Sequence, residues 1–356
     1  MRITTPATNP DTLPRPRHQA DASAANVLSL LLLLAVAAFC CWLVGTRSLD
    51  IGTDTETYAG LYLRLGSGLV ETRLEPGFVY LSYGLRQLGL GVIGYQTVLF
   101  ALLLATAVAA ARRYFLYLGG AAVGYYTFLS ASLMLLLVSP MFVNASINAI
   151  RQGLAALLIF ASLLAFHQRH WWKFALYGAL ASGFHISALL YLVLAPVLLL
   201  PSGMQRFLAA AAFLLYISGL SRTAVSILSP AMYQTVMEYT ATIRFEAGVR
   251  IDFAVFSIFW YVLPYLLSPL IKARYREKIL DSTAVYLVMV LPFFAVGWGY
   301  FSNRYLLPAW LAVSLILAAI LCSSRLSLPR QPLLIRFGLI AACVVFYVLV
   351  SRGIVI

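Results

Sequence analysis

Asn144-Ala-Ser-Ile-Asn-Ala-Ile-Arg-Gln-Gly153 interrupts one of the most apolar regions of the chain. Residues 119–143 before it carry no charge, and neither do residues 154–166 after it. A membrane-spanning helix needs about 20 predominantly apolar residues. The flanking runs therefore read as spans, and the polar decapeptide as the point where the chain turns at a membrane boundary. On a helix, Asn144, Asn148 and Arg151 fall at i, i+4 and i+7, a single face. An arginine and two carboxamides at that depth are costly unless they meet polar partners. Two readings of Arg151 follow. It snorkels to lipid headgroups from a helix start, or its planar fork of donors binds phosphate or carboxylate.

The remaining sequence extends the same pattern. Hydrophobic residues make up 62% of the 356, charged residues 10%, and mean hydropathy is +0.90. Soluble domains carry about 25% charged residues. Repeated uncharged runs too long for barrel strands leave an all-α, polytopic membrane protein as the fold class. The net charge of +13 reads as loop arginine and lysine obeying the positive-inside bias, not as a nucleic-acid surface. Cys40, Cys41, Cys322 and Cys343 sit in or beside apolar runs and read as packing residues, with neither a disulfide framework nor zinc spacing.

Residues 1–24 are polar and proline-containing, and read as a disordered cytoplasmic tail ahead of a membrane domain over 25–353. Spans are expected at about 25–44, 92–110, 119–142, 148–166, 207–220, 253–271, 283–300, 306–321 and 337–350, with a polar outer segment over 45–91 and an outer loop over 221–252. The stretch 76–90 is too short and polar to span and reads as interfacial or re-entrant. Residues 174–200 are apolar but broken at Ser182-Gly-Phe-His-Ile-Ser187. Two half-helices folding back at Gly183–His185 keep the later basic loops cytoplasmic, with His185 at the outward apex. The expected total is about ten or eleven transmembrane helices. Trp171, Trp172 and Trp298 read as interfacial belt residues.

On this topology Arg112-Arg113 and the cluster from His167 to Lys173 face the cytoplasm, and so do all three lysines. Basic residues on the outer side are all arginine, and most of the acids lie there too. That asymmetry suits an extracytoplasmic site for a large polar anion, with carboxylates nearby for proton transfer. No Walker loop, H-E-x-x-H helix, Cys/His quartet or G-x-S-x-G elbow is present. Direct ATP hydrolysis and zinc chemistry are therefore not expected, no metal site is assigned, and no cofactor is expected.

Gly52-Thr-Asp-Thr-Glu-Thr-Tyr58, Glu75-Pro-Gly-Phe78, Asn148-Ala-Ile-Arg-Gln152, Phe184-His-Ile-Ser187 and Asn303-Arg-Tyr305 occur in that order, all at expected outer boundaries. Over residues 28–350 the chain resembles the EpsG family of polysaccharide-biosynthesis membrane proteins, which look like Wzy-type polymerases. The resemblance implies a GT-C-like membrane glycosyltransferase architecture in the cytoplasmic membrane of a bacterium. It also implies a donor glycan on polyprenyl pyrophosphate, extended at the outer side into exopolysaccharide or an O-antigen-type polymer. A chain-length regulator or export complex is an expected partner besides membrane lipid. Asp54, then Glu75, then His185 are the candidates for the base that takes the acceptor proton. Arg151 and Arg304 would stabilise the pyrophosphate leaving group, with Asn148, Gln152 and Tyr305 completing the substrate-binding set. Two other classes share these features: a flippase for lipid-linked oligosaccharide, and a non-catalytic assembly subunit. A transporter should line its path with polar groups at mid-membrane, where the expected helix centres carry almost no charge.

Overall fold

In a bilayer core, backbone N–H and C=O groups find no partners but one another, so apolar sequence is forced into helix. The structure, a computed structural model, describes residues 16–238, 247–300 and 302–353, and no strand occurs among them. In chain order the helices are α1 (Pro16–Gly45), α2 (Thr55–Arg64), α3 (Pro76–Gln87), α4 (Val92–Leu118), α5 (Tyr125–Leu137), α6 (Pro140–Ile147), α7 (Ile150–His167) and α8 (Trp171–Phe184). They continue with α9 (Ala188–Leu192), α10 (Ser202–Ile217), α11 (Leu220–Leu228), α12 (Pro230–Glu238), α13 (Ile251–Leu267), α14 (Ala273–Val296), α15 (Leu307–Cys322) and α16 (Pro332–Ser351). Six are long and apolar enough to cross a membrane, or eight when the bent pairs α5–α6 and α10–α11 each count as one span. Two shorter apolar segments, Ala188–Leu199 and Leu307–Cys322, add to these.

Burial separates a core from a rim. α7 is 89% buried and the apolar stretch of α14 is 83% buried, whereas α1 and α16 are each 33% buried and α13 is 22% buried. α7 packs against α4, α8, α14 and α15, which explains why residues 154–166 have no charged side chain on any face. In lipid, apolar burial alone does not hold helices together, so close packing through small residues matters more. Gly153 illustrates this: a Cβ there would lie 2.7 Å from the Ala145 Cβ, so the glycine lets α6 and α7 touch.

Several expectations change in three dimensions. Residues 16–24, expected as tail, form the first turns of α1, with Pro16 at the helix start and an alanine-rich stretch that favours helix. Residues 1–15 lie outside the described set. The span expected over 119–142 is α5 followed by α6, bent by 79°. The break falls just before Pro140, where proline removes a donor and disfavours helical backbone at Ser139. Asn144, Asn148 and Arg151 do not share one continuous helical face. The backbone leaves the helix at Asn148 and Ala149, so Asn144 belongs to α6 and Arg151 to α7.

The polar segment 45–91 contains α2 and α3, the latter started by Pro76. Residues 221–252 hold α11 and α12 where a loop was expected, while Tyr239 and Arg244 of that segment lie outside the described residues. The basic segment before Asp281 is already helical as the start of α14. Trp298 is fully buried and stacks on Tyr233 at 5.2 Å, so it is a packing residue and not part of an interfacial belt; Trp171 and Trp172 are exposed. The half-helix pair over 174–200 forms with its turn at His185.

Candidate active site at one end of the bundle

Alternating helices bring particular chain ends together. The Tyr117 hydroxyl meets His167 Nδ1 at 3.1 Å, which places the last turns of α4 and α7 at one end of the bundle. The first turn of α7 therefore lies at the other end. It is joined there by the α2 and α3 starts, the α8–α9 turn and the Ser302–Tyr305 turn before α15. These are the five segments that carry the motifs quoted above.

Arg151, in the first turn of α7, is the hub. Its Nη1 donates to the Glu75 carboxylate, and its Nε donates to the Tyr58 hydroxyl at 3.2 Å. Among the described residues the Nη2 nitrogen makes no hydrogen bond. The side chains are 20% exposed for Arg151 and 10% for Glu75, so the pair is largely enclosed yet reachable. Glu75 precedes Pro76 in extended backbone, and its other oxygen accepts the Ile186 amide at 3.0 Å. Burial would raise the Glu75 carboxyl, but the Ile186 amide and the Arg151 guanidinium outweigh it and hold the group below its ordinary value. Glu75 thus stays ionised as the counter-ion of Arg151.

His185 sits in the turn between α8 and α9, outside the spanning helices. Its Nδ1 accepts the Ser187 amide at 3.2 Å and lies 2.6 Å from the Ser187 hydroxyl. Nδ1 is therefore the acceptor and Nε2 carries the proton. Burial, reinforced by Arg151 and Arg304 against the pull of Glu75, brings the ring down to about 4. The imidazole is neutral near pH 7 and presents an N–H donor.

The other candidates complete the rim. The Asn148 side-chain oxygen accepts from the Thr53 hydroxyl at 2.6 Å and from the Asp54 amide at 3.0 Å, while its amide donates to Asn144 at 3.2 Å. This carboxamide ties the 52–54 loop to the α6–α7 break, so Asn148 acts here on the loop. Asp54 stands at the α2 N-terminus, but its side chain makes no capping bond. Tyr58 lies one helical turn further on, within electrostatic reach of Asp54, Arg151 and Arg304. Gln152 is buried and donates to the Arg304 carbonyl, and the Tyr191 hydroxyl donates to the Tyr305 carbonyl at 3.0 Å. These two bonds fix the turn that carries Arg304 and Tyr305 against α7 and α9. Among the described residues no group of three or more His, Cys, Asp or Glu side chains could hold a metal ion.

The structure gathers the segments that carry the eight residues singled out from the sequence: Glu75, Arg151 and His185 meet around the Ile186 amide, Asn148 holds the Asp54 loop, and Arg304 and Tyr305 are tied in through their backbone carbonyls. It adds Tyr58 and Thr53, both inside the first quoted motif, and Ser187, inside the fourth. It also adds a backbone contact with no sequence signal beyond two glycines. A Cβ on Gly77 would lie 2.5 Å from the Gly183 carbonyl oxygen, so the start of α3 and the end of α8 touch main chain to main chain. Arg47, at the start of the expected outer segment over 45–91, is buried, with bonds to the Val44 carbonyl, Gln96 and Thr55. It braces the loop ahead of α2.

Compared with known proteins, the chain matches no curated sequence and no solved structure. A scan against protein families matches the EpsG family over residues 30–354, nearly the whole chain. With its motif segments gathered at one end of a helical bundle, the chain belongs to the EpsG family, a family of Wzy-like polysaccharide polymerases, and is a multi-pass membrane protein of polysaccharide biosynthesis.

Proposed function

We propose that the chain is a glycosyltransferase that polymerises repeat units carried on polyprenyl pyrophosphate, at the extracytoplasmic side of the bacterial cytoplasmic membrane. The observation that carries this reading is the Arg151 cluster. A guanidinium is aimed by Glu75 and Tyr58 and keeps a terminal nitrogen for a ligand. Arg304 lies within electrostatic reach of the same tyrosine and of His185. An oriented guanidinium with a second arginine within electrostatic reach suits the charge that gathers on a departing pyrophosphate.

In the reaction the acceptor hydroxyl oxygen bonds to the anomeric carbon of the donor. The bond from that carbon to the phosphate oxygen breaks, and the lipid pyrophosphate leaves with the electron pair. The hydroxyl proton passes to a carboxylate. Glu75 is committed to Arg151 and to the Ile186 amide, and His185 uses its basic nitrogen on Ser187. Asp54 is therefore the base in this reading, and Glu75 and His185 are positioning groups. The pyrophosphate-linked sugar is already activated, so no further energy source is needed. Direct displacement inverts the anomeric carbon. α12 and Gly248 pack against the turn at Trp298, just ahead of Arg304.

The test is chain extension by the purified protein in nanodiscs, with a polyprenyl-pyrophosphate oligosaccharide as the only substrate. A ladder of longer products supports the reading. Translocation of intact substrate without extension would mark a flippase, and neither activity would mark an assembly subunit.

A further inference from the structure

The opposite end of the bundle carries a second polar feature that the polymerisation reading does not use. α4 and α8 both pack on α7 and flank a groove of about 650 Å³ on the outer flank of the protein. Its wall is apolar, formed by α4 side chains such as Leu104, Ala105 and Val108, while its rim is basic, with Arg112, Arg113 and Lys173. No aspartate or glutamate is among the described residues that line it. Ala101 to Arg112 covers about 16 Å of helix, which is about one leaflet of a 30 Å hydrocarbon core. The basic rim therefore sits at headgroup level when the apolar wall sits among acyl chains.

Arg113 carries the most buried of these charges. It is 5% exposed, yet its Nε has no hydrogen-bond partner among the described residues. Its Nη2 lies 2.7 Å from His170 Nδ1, so the imidazole accepts and supplies no negative charge. The groove thus gathers Arg112, Arg113 and Lys173 with no acid among its lining residues to offset them, a charge that favours an anionic occupant. Lys173 opens α8, and Tyr177 follows one turn deeper in the same groove.

We infer that this groove is a binding site for one anionic phospholipid of the leaflet opposite the Arg151 cluster, its phosphate on the arginine–lysine rim and an acyl chain along α4. Basic pockets between transmembrane helices recognise anionic headgroups in this way. The site is separate from the Arg151 cluster and stands or falls independently of the polymerisation chemistry.

Native mass spectrometry of the full-length protein tests it, using equimolar phosphatidylglycerol and phosphatidylcholine with identical chains. The wild type should retain phosphatidylglycerol in preference. Each surface cation contributes about fivefold, so Arg112→Gln/Lys173→Gln should cut that preference about 30-fold. Both side chains are exposed, so the double variant should keep its melting temperature; Arg113, buried against His170, is left in place. Ala105→Trp, which fills the apolar wall, should displace the lipid without touching a charge. Equal retention of the two lipids overturns the assignment, and so does an unchanged preference in either variant. Displacement of phosphatidylglycerol by soluble glycerol phosphate would also overturn it, since that marks a phosphate site with no use for the acyl chain.

Discussion

Replacing Gly77 with alanine adds one methyl group, yet it should disable the site. The new Cβ would sit 2.5 Å from the Gly183 carbonyl oxygen, 2.8 Å from its carbonyl carbon and 3.0 Å from its Cα. All three are main-chain atoms, so no side chain can rotate away. To reach ordinary contact, the start of α3 and the end of α8 must part by about 1 Å, a displacement that costs on the order of 10²-fold in rate when it misplaces catalytic groups. The displacement acts where it matters most. Glu75 precedes this contact by two residues on one side, and His185 and Ile186 follow it on the other, so the Ile186–Glu75 bond at 3.0 Å and the aim of Arg151 both depend on it. The assay is the rate of chain extension in nanodiscs, read beside the melting temperature. Extension should fall about 100-fold while the fold persists. Gly60→Ala is the control, since nothing lies within 4 Å of a Cβ there and the residue is in a helix, where alanine is neutral or mildly stabilising. Gly77→Ala protein retaining more than about a third of wild-type rate would refute the claim that this contact sets the geometry of the Arg151 cluster.

Arg151→Lys keeps the charge opposite Glu75 but loses the fork that reaches Tyr58 and a ligand together, so extension should fall by about 10² to 10³; polymer of normal length and yield in cells would count against the clamp. Asp54→Asn should lower kcat by about 10² to 10⁴ while lipid-linked donor still binds, as measured by single-turnover extension and donor titration; an unchanged kcat would remove Asp54 as the base. The His185 ring falls from its ordinary value near 6.5 to about 4 in the folded chain. The unfolded state therefore binds the extra proton first, and stability present above about pH 6.5 is lost as pH falls towards 4. Glu75, held below its ordinary value, adds acid sensitivity in the same direction once pH falls through its depressed folded value. Melting temperature should drop over that range, and His185→Gln should flatten the decline above about pH 5; a parallel decline in the variant would show that the ring is not the group responsible. Thr53→Cys should react with a membrane-impermeant maleimide applied to intact cells, and Arg169→Cys only after permeabilisation; the reverse pattern would invert the orientation.

Hydropathy alone was enough to show that the chain is a helical membrane protein, because lipid allows buried backbone almost no other solution. It also located the turn at His185, since a polar break in an apolar run must sit at a boundary or a cavity. The motif residues were legible as types: arginine for anions, carboxylate for protons, glycine for close approach. Their partnership was not. Glu75 and Arg151 lie 76 residues apart, Glu75 and Ile186 lie 111 apart, and Gln152 and Arg304 lie 152 apart, with nothing local to mark one as the other's mate. Helical periodicity even misassigned Asn144, Asn148 and Arg151 to one face, because it assumes a continuous helix and the break at Asn148–Ala149 is set by what that carboxamide meets on the 52–54 loop. Trp298 was misjudged for a related reason: an indole at a span's end suits the interface, but Tyr233 from a distant segment covers it. The change in Glu75 from base candidate to counter-ion likewise came from packing. A carboxylate's chemistry is set by the donors that surround it, and those donors are chosen by the tertiary fold.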